Sequence, residues 1–133
     1  MSKEVNFHGC DVTFSNNKYH AEYQGKKWES SDGINWSESL TESQKKIVEV
    51  CDSMKDLLLY KNQKYGDSAL NPNNIFYKGD STNSIKIRLD DKIGRIKNCE
   101  ETRINDVADV IGYCTLLLVS IGAEKKDFEK LKD

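Results

Sequence analysis

Two carboxylates stand at the start of the most apolar stretch of the chain, INDVADVIGYCTLLLVSIGA, residues 104–123. Asp106 and Asp109 are its only charged residues, and their spacing places them on one stripe of a helix, with Tyr113 one turn further. An unpaired buried carboxylate costs several kcal/mol, so such a group requires a cation. Two carboxylates one turn apart, facing into a helical bundle, suit Mg²⁺. A plainer interpretation stays open, because the helix dipole and solvent also stabilise acids in a first helical turn.

A second group of charged residues lies upstream, in KIRLDDKIGRIKN, residues 86–98. Arg88, Asp91 and Arg95 share one helical stripe, and Lys92 lies nearer the apolar face. An acid among bases on one stripe suits a bound cation together with phosphate groups. The same pattern also fits an exposed ladder of ion pairs, each contributing a few tenths of a kcal/mol. Spacing alone leaves both interpretations open.

Three long helices are predicted to position these groups. Ser39 with Glu42, or Thr41 with Gln44, has capping-box spacing and predicts the start of a first helix that ends near residue 64. Apolar periodicity predicts a second helix over about residues 84–98 and a third over about 104–122. A short charged helix closes the chain. These helices predict a bundle.

The first 38 residues differ in character from the rest of the chain, being rich in aromatic and turn-forming residues. Short strands are predicted between three turn-forming pairs: Asn16-Asn17, Gln24-Gly25 and Asp32-Gly33. The third pair predicts a hairpin from Trp28 to Trp36. We therefore predict a mainly α protein, in which residues 1–38 form a small β-hairpin or meander appendage. Residues 39–133 are predicted to form a domain of three main helices and a short C-terminal helix.

Charge and hydropathy narrow the classes of partner. The formal net charge is −2 and 32% of the residues are charged, so no general electrostatic attraction to nucleic acid or to an anionic membrane is expected. The N-terminus lacks the apolar core of a signal peptide, and the longest apolar run is too short to span a bilayer. These features predict a cytoplasmic protein.

The third predicted helix is apolar around most of its circumference, from Val107 to Ile121. Such a helix lies at the centre of a bundle or is covered by another subunit. Since a chain of 133 residues offers few other helices to surround it, the sequence predicts a homodimer or a higher homo-oligomer.

Three motifs in fixed order resemble the all-α nucleoside triphosphate pyrophosphohydrolase superfamily, in particular its MazG-like and phage nucleotide-modification-associated branches. They read CDSMKDLLLYKNQKYGDS, IRLDDKIGRIKN and NDVADVIGYCTLLL. The resemblance covers about residues 45–121 and leaves out the β appendage. It implies Mg²⁺-dependent cleavage of a (deoxy)nucleoside triphosphate into a monophosphate and pyrophosphate. By position, it implies that Asp91, Asp106 and Asp109 are the catalytic metal ligands.

The resemblance and the charged stripes together predict a set of residues that bind the nucleotide. They are Lys61, Asn62, Lys64 and Tyr65 at the end of the first helix, Arg88, Lys92 and Arg95 on the second, and Tyr113 on the third. Groups that contact the base are expected from the loop at residues 66–83, whose candidates the sequence does not rank. They are Asn71, Asn73, Asn74, Phe76 and Tyr77.

The chain departs from the superfamily pattern on the second helix, where Glu-x-x-Glu spacing is expected. At that interval from Asp91 stand Arg88 and Gly94, so Asp91 has no acidic partner. One alternative is therefore a protein that binds or sequesters a nucleotide without hydrolysing it, for example a phage sponge for a nucleotide signal. Another is an interaction module that docks a partner through the aromatic residues of the β appendage.

Overall fold

The computed structural model describes residues 4–76 and 78–132. The protein is mainly α-helical and carries a small antiparallel β-sheet near its N-terminus, which confirms the predicted fold class at this level. The chain divides into two compact units, Met1–Glu49 and Val50–Asp133.

The first unit contains a four-stranded antiparallel sheet whose strands follow one another in chain order. They are β1 Val12–Ser15, β2 Lys18–Tyr23, β3 Lys26–Ser30 and β4 Ser37–Glu38. The first two turns lie where the sequence predicts them. Asn16, Asn17, Gln24 and Gly25 adopt positive φ angles between 52° and 72°, a region that asparagine and glycine tolerate better than other residues.

The third turn is wider, since β4 pairs with β3 only beyond residue 36. The carboxylate of Asp32 organises it, because its Oδ1 accepts hydrogen bonds from the backbone N–H groups of Ile34 and Asn35, each at 2.8 Å. Its Oδ2 also accepts a hydrogen bond from the Asn35 amide. This side chain therefore replaces the backbone pairing that a two-residue turn would provide.

Aromatic rings form the core of the first unit. The buried ring of Phe7 stacks on Trp36 with centroids 4.5 Å apart. It also contacts Trp28 at 5.5 Å and Tyr23 at 5.9 Å. Aromatic pairs in such geometries stabilise beyond their buried area. Both tryptophans of the appendage are therefore partly covered by the unit's own residues.

The helices are α1 Glu42–Lys64, α2 Ser81–Asn98, α3 Ile104–Ser120 and α4 Lys125–Glu129, followed by a 3-10 turn at Lys130–Lys132. Of the two capping registers, the chain uses Thr41 with Gln44: the Thr41 hydroxyl accepts from the Gln44 N–H, and Gln44 Oε1 accepts from the Thr41 N–H. Helix α2 begins three residues earlier than predicted, because the Asp80 carboxylate accepts a hydrogen bond from the Asn83 N–H at 2.7 Å.

The core of the second unit lies between α2 and α3. Ile85 is fully buried and Leu89 almost so, and both lie on α2. Helix α1 approaches α3 at Gly112, where an added Cβ would lie 3.0 Å from Leu58 Cδ2. A glycine at this position therefore lets Leu58 reach the α3 backbone.

Apolar side chains remain exposed on the helices. Helix α1 has no buried residue, and α3 exposes Ile104, Ile111 and Leu118, as does Ile121 directly after it. Within the described residues no single helix has both the length and the hydropathy to cross a membrane. Helix α3 meets that test only when joined to the C-terminal helical segment, from which it is bent by 113°.

Candidate functional site

A cavity of about 480 Å³ lies in the second unit, lined by α1, α2, α3 and the residues that follow α1. Its volume falls within the range of small-molecule sites, roughly 300–1,000 Å³. One wall is apolar and contains Met54, Leu57, Leu58 and Leu116. The remaining wall carries most of the residues that the sequence predicts to bind the nucleotide.

Asp109 lies between two lysines from different helices at the wall of this cavity. Its Oδ2 is 2.9 Å from Lys92 Nζ of α2, and its Oδ1 is 3.3 Å from Lys61 Nζ of α1. Partial burial favours the protonated acid, but the hydrogen bonds and positive charges of Lys92 and Lys61 outweigh it, so the pKa of Asp109 is lowered. Asp109 is therefore ionised at neutral pH, and this group of three side chains carries one net positive charge.

Other predicted nucleotide-binding residues line the same cavity. Arg88 adds a further positive charge, and Asn62, Tyr65 and Tyr113 add groups that can donate or accept hydrogen bonds. Guanidinium and ammonium groups around one cavity are a common arrangement for binding phosphate. The structure therefore brings together six of the eight predicted binding residues: Lys61, Asn62, Tyr65, Arg88, Lys92 and Tyr113.

Two predicted binding residues are not among those that line the cavity. The Lys64 ammonium lies 5.9 Å and 5.8 Å from the ring centroids of Tyr60 and Tyr65, a cation–π arrangement at the end of α1. Arg95 is exposed on α2.

Asp106 is held by its own neighbour rather than by the cavity. Its side chain is only 2% exposed, and its Oδ2 accepts a hydrogen bond from Arg103 Nε at 2.8 Å. The hydrogen bond and the negative charge of Asp106 raise the pKa of Arg103. Asp106 lies in the first turn of α3, where the helix dipole favours a negative charge. The geometry of Asp106 therefore matches a structural group that fixes the start of α3.

The three predicted metal ligands are not brought together. Asp91 is exposed on α2, Asp106 is buried against Arg103, and Asp109 is bound by two lysines. Among residues 4–76 and 78–132, no group of three or more acidic, histidine or cysteine side chains is arranged to hold a metal ion. As arranged, these carboxylates do not fit a shared magnesium centre.

The sequence predicts ligand contacts from the loop at residues 66–83, but its candidates do not include Asp67, Ser68 and Ala69, which line the cavity. The Asp67 carboxylate accepts hydrogen bonds from the side-chain amides of Asn62, at 2.7 Å, and Asn71. Asp67 adopts a φ of 61° directly after Gly66, which has a φ of 63°. Two consecutive left-handed residues turn the chain back across the end of α1. In the sequence, only Gly66 indicates a left-handed turn here.

Comparisons of this chain with models of known protein families, with curated proteins and with solved structures gave no match.

Proposed function

We propose that the second unit binds a phosphate-bearing small molecule, a nucleoside triphosphate, in the cavity between α1, α2 and α3. One observation carries the proposal: Lys61 and Lys92 converge on this cavity from two helices, with Arg88 on the same wall. Two carboxylates, Asp67 and Asp109, line the cavity with these three cations, so one positive charge remains in excess. Phosphate oxygens accept charge-assisted hydrogen bonds from such groups. The resemblance of the three motifs to nucleotide pyrophosphohydrolases supports the choice of a nucleotide.

Isothermal titration calorimetry with nucleoside mono-, di- and triphosphates tests this proposal. Affinity is expected to rise with the number of phosphates and to fall as salt is raised, because the contacts are charge pairs at a partly exposed site. The absence of saturable binding by every nucleotide, with and without Mg²⁺, would overturn it.

The second candidate function is the pyrophosphohydrolase reaction, with a (deoxy)nucleoside triphosphate as substrate and Mg²⁺ as the cofactor that the resemblance implies. Its specific support is that Asp109, one of the three acids matched to the superfamily, lines the cavity. The distinguishing assay incubates the protein with nucleoside triphosphates and Mg²⁺ and measures pyrophosphate. Release that is lost in Asp109→Ala supports the enzyme. Tight binding with the nucleotide recovered intact supports a protein that sequesters its ligand.

We also propose that the three main helices form a bundle that a second copy of the chain completes. Ile104, Ile111 and Leu118 recur at seven-residue spacing on α3 and are all exposed, and Ile121 extends the same stripe. This stripe contains no charged residue, and such spacing suits packing of one helix against another. A charged partner would gain no ion pair there, whereas a second α3 would bury apolar area on both copies.

Sedimentation velocity tests the proposed dimer. The wild-type chain is expected to sediment as a dimer, and Leu118→Lys as a folded monomer, because a lysine would be desolvated without a partner. Ile34→Lys is the matched control, since Ile34 is exposed in the first unit. A monomeric wild type at high protein concentration would contradict this arrangement.

A further inference from the structure

The cavity that contains Lys61, Lys92 and Arg88 is called the phosphate cavity below. A second, smaller cavity of about 270 Å³ adjoins it. Ser68, Ala69 and Arg88 line both cavities, so the two share a boundary. The rest of the second cavity is formed by the loop at residues 72–76 and by Ser84 and Ile85 of α2. Its volume lies below the usual range for a complete ligand site, roughly 300–1,000 Å³. It therefore suits one part of a ligand whose remainder occupies the first cavity.

The chemistry of the two cavities differs. Lys61 and Lys92 border the first and do not reach the second, which instead contains Pro72, Ile75 and Phe76. Phe76 is 98% exposed and Ile75 is 72% exposed. An aromatic ring so open to solvent, at the edge of a cavity, is available to stack on a planar group. The combined site is cationic at one end and aromatic at the other.

Two amide side chains accompany the aromatic ring. Asn73 and Asn74 line the second cavity, and amides both donate and accept hydrogen bonds, as the edges of nucleobases do. An acyl chain would offer these amides no polar group, and burying them against it would cost free energy. The mixture of aromatic and amide groups therefore favours a heterocyclic base over a lipid tail.

We propose that the second cavity is the base subsite of the nucleotide whose phosphates lie in the first cavity. Phe76 stacks on the base, and Arg88 lies at the junction, next to the part of the ligand that joins base and phosphates. This proposal rests on the proposed nucleotide binding and adds to it the residues that recognise the base. It also ranks the loop candidates by position: Asn73, Asn74 and Phe76 line the subsite, and Asn71 does not. Tyr77 lies outside the described residues.

A comparison of ligands with and without a base tests the subsite. Calorimetry is performed with inorganic tripolyphosphate and with the common nucleoside triphosphates, on the wild type, Phe76→Ala and Phe76→Trp. Stacking of a base on an aromatic side chain typically corresponds to an affinity gain of roughly tenfold or more. At least one nucleoside triphosphate is therefore expected to bind about tenfold more tightly than tripolyphosphate. Phe76→Ala is expected to remove this difference and Phe76→Trp to keep it, with tripolyphosphate affinity unchanged in both.

Phe14→Ala is the matched control, because Phe14 is an exposed phenylalanine on β1 of the first unit. It is expected to leave both affinities unchanged. The base subsite is overturned if no nucleoside triphosphate binds more tightly than tripolyphosphate, or if Phe76→Ala weakens both ligands equally or neither. Failure of tripolyphosphate itself to bind would instead count against the phosphate cavity, so the two proposals fail in different ways.

Discussion

Lys92 Nζ lies 2.9 Å from Asp109 Oδ2, and this contact joins α2 to α3 at the wall of the cavity. Lys61 approaches the other carboxylate oxygen from α1, so one carboxylate holds cations from both neighbouring helices. Phosphate oxygens present the same kind of acceptor as a carboxylate. We therefore expect a bound phosphate group to compete with Asp109 for the two ammonium groups.

Replacement of Lys92 by alanine is expected to weaken nucleoside triphosphate binding by about tenfold or more. A hydrogen bond to a charged group contributes about 1.5–3 kcal/mol, and each 1.4 kcal/mol corresponds to a factor of ten. The side chain of Lys92 is only 19% exposed, so solvent screens its charge less than that of a surface lysine. Calorimetry at low and physiological salt measures the effect.

Lys86→Ala provides the control for this variant. Lys86 lies on the same helix, is exposed and is not among the residues that line either cavity. It changes the net charge by the same amount, so it is expected to reduce the affinity only slightly. Equal losses in the two variants would show that the general field of the protein, not direct contact, attracts the ligand.

Replacement of Asp109 by asparagine is expected to separate its two possible roles. The substitution removes the charge that holds Lys61 and Lys92, so tripolyphosphate without Mg²⁺ should bind several-fold more tightly than to the wild type. If the protein is an enzyme, the same variant loses pyrophosphate release in the presence of Mg²⁺. Weaker binding of tripolyphosphate without metal would mean that Asp109 positions the lysines for the ligand rather than competing with it.

Replacement of Asp106 by asparagine keeps an acceptor oxygen for Arg103 but removes the negative charge. It is expected to lower the free energy of unfolding by about 1 kcal/mol, because hydrogen bonds to charged groups contribute more than neutral ones do. The carboxylate of Asp106 is buried, and its Oδ2 lies 2.8 Å from Arg103 Nε. Urea unfolding followed by circular dichroism measures the change. Asp90→Asn, an exposed aspartate on α2, should leave the stability within about 0.5 kcal/mol of the wild type. A stable Asp106→Asn that has lost nucleotide binding would place Asp106 in the site instead.

Local signals in the sequence predicted most of the secondary structure. The turn at Asn16-Asn17 and the capping residue Thr41 act within four residues, so their effect can be read without knowing the fold. Apolar periodicity predicts the start of α2 three residues too late, because the periodic pattern begins only at Ile85. The capping residue Asp80 stands in a stretch that carries no periodicity, although an aspartate before Ser-Thr-Asn is itself a capping signal.

Local sequence patterns do not predict which residues from distant parts of the chain pair with Asp109. The spacing of Asp106 and Asp109 suggests one shared function, but their partners differ: Arg103 is three residues away, whereas Lys61 is 48 residues away. Arg103 is close to Asp106 in the sequence, so a local ion pair between them is predictable from their spacing. The contact between Lys61 and Asp109 depends on how α1 packs on α3 at Gly112, and no short-range pattern records that packing.

The stability of the first unit is expected to fall in acid because of Asp32. Hydrogen bonds from the backbone N–H groups of Asn35 and Ile34, followed by those from the Asn35 and Ser30 side chains, hold the pKa of Asp32 far below its ordinary value of 3.8. The folded chain therefore binds fewer protons here than the unfolded chain does, so the stabilisation is present above pH 4 and is lost progressively as pH falls below 3.8. Urea unfolding monitored by Trp28 and Trp36 fluorescence at pH 6 and pH 3 measures this loss.

Asp32→Asn keeps an acceptor oxygen but not the charge, and should show a smaller difference between the two pH values. Asp11→Asn, an exposed aspartate of the same unit, should retain the wild-type difference, and an equal reduction in both variants would contradict the assignment to Asp32.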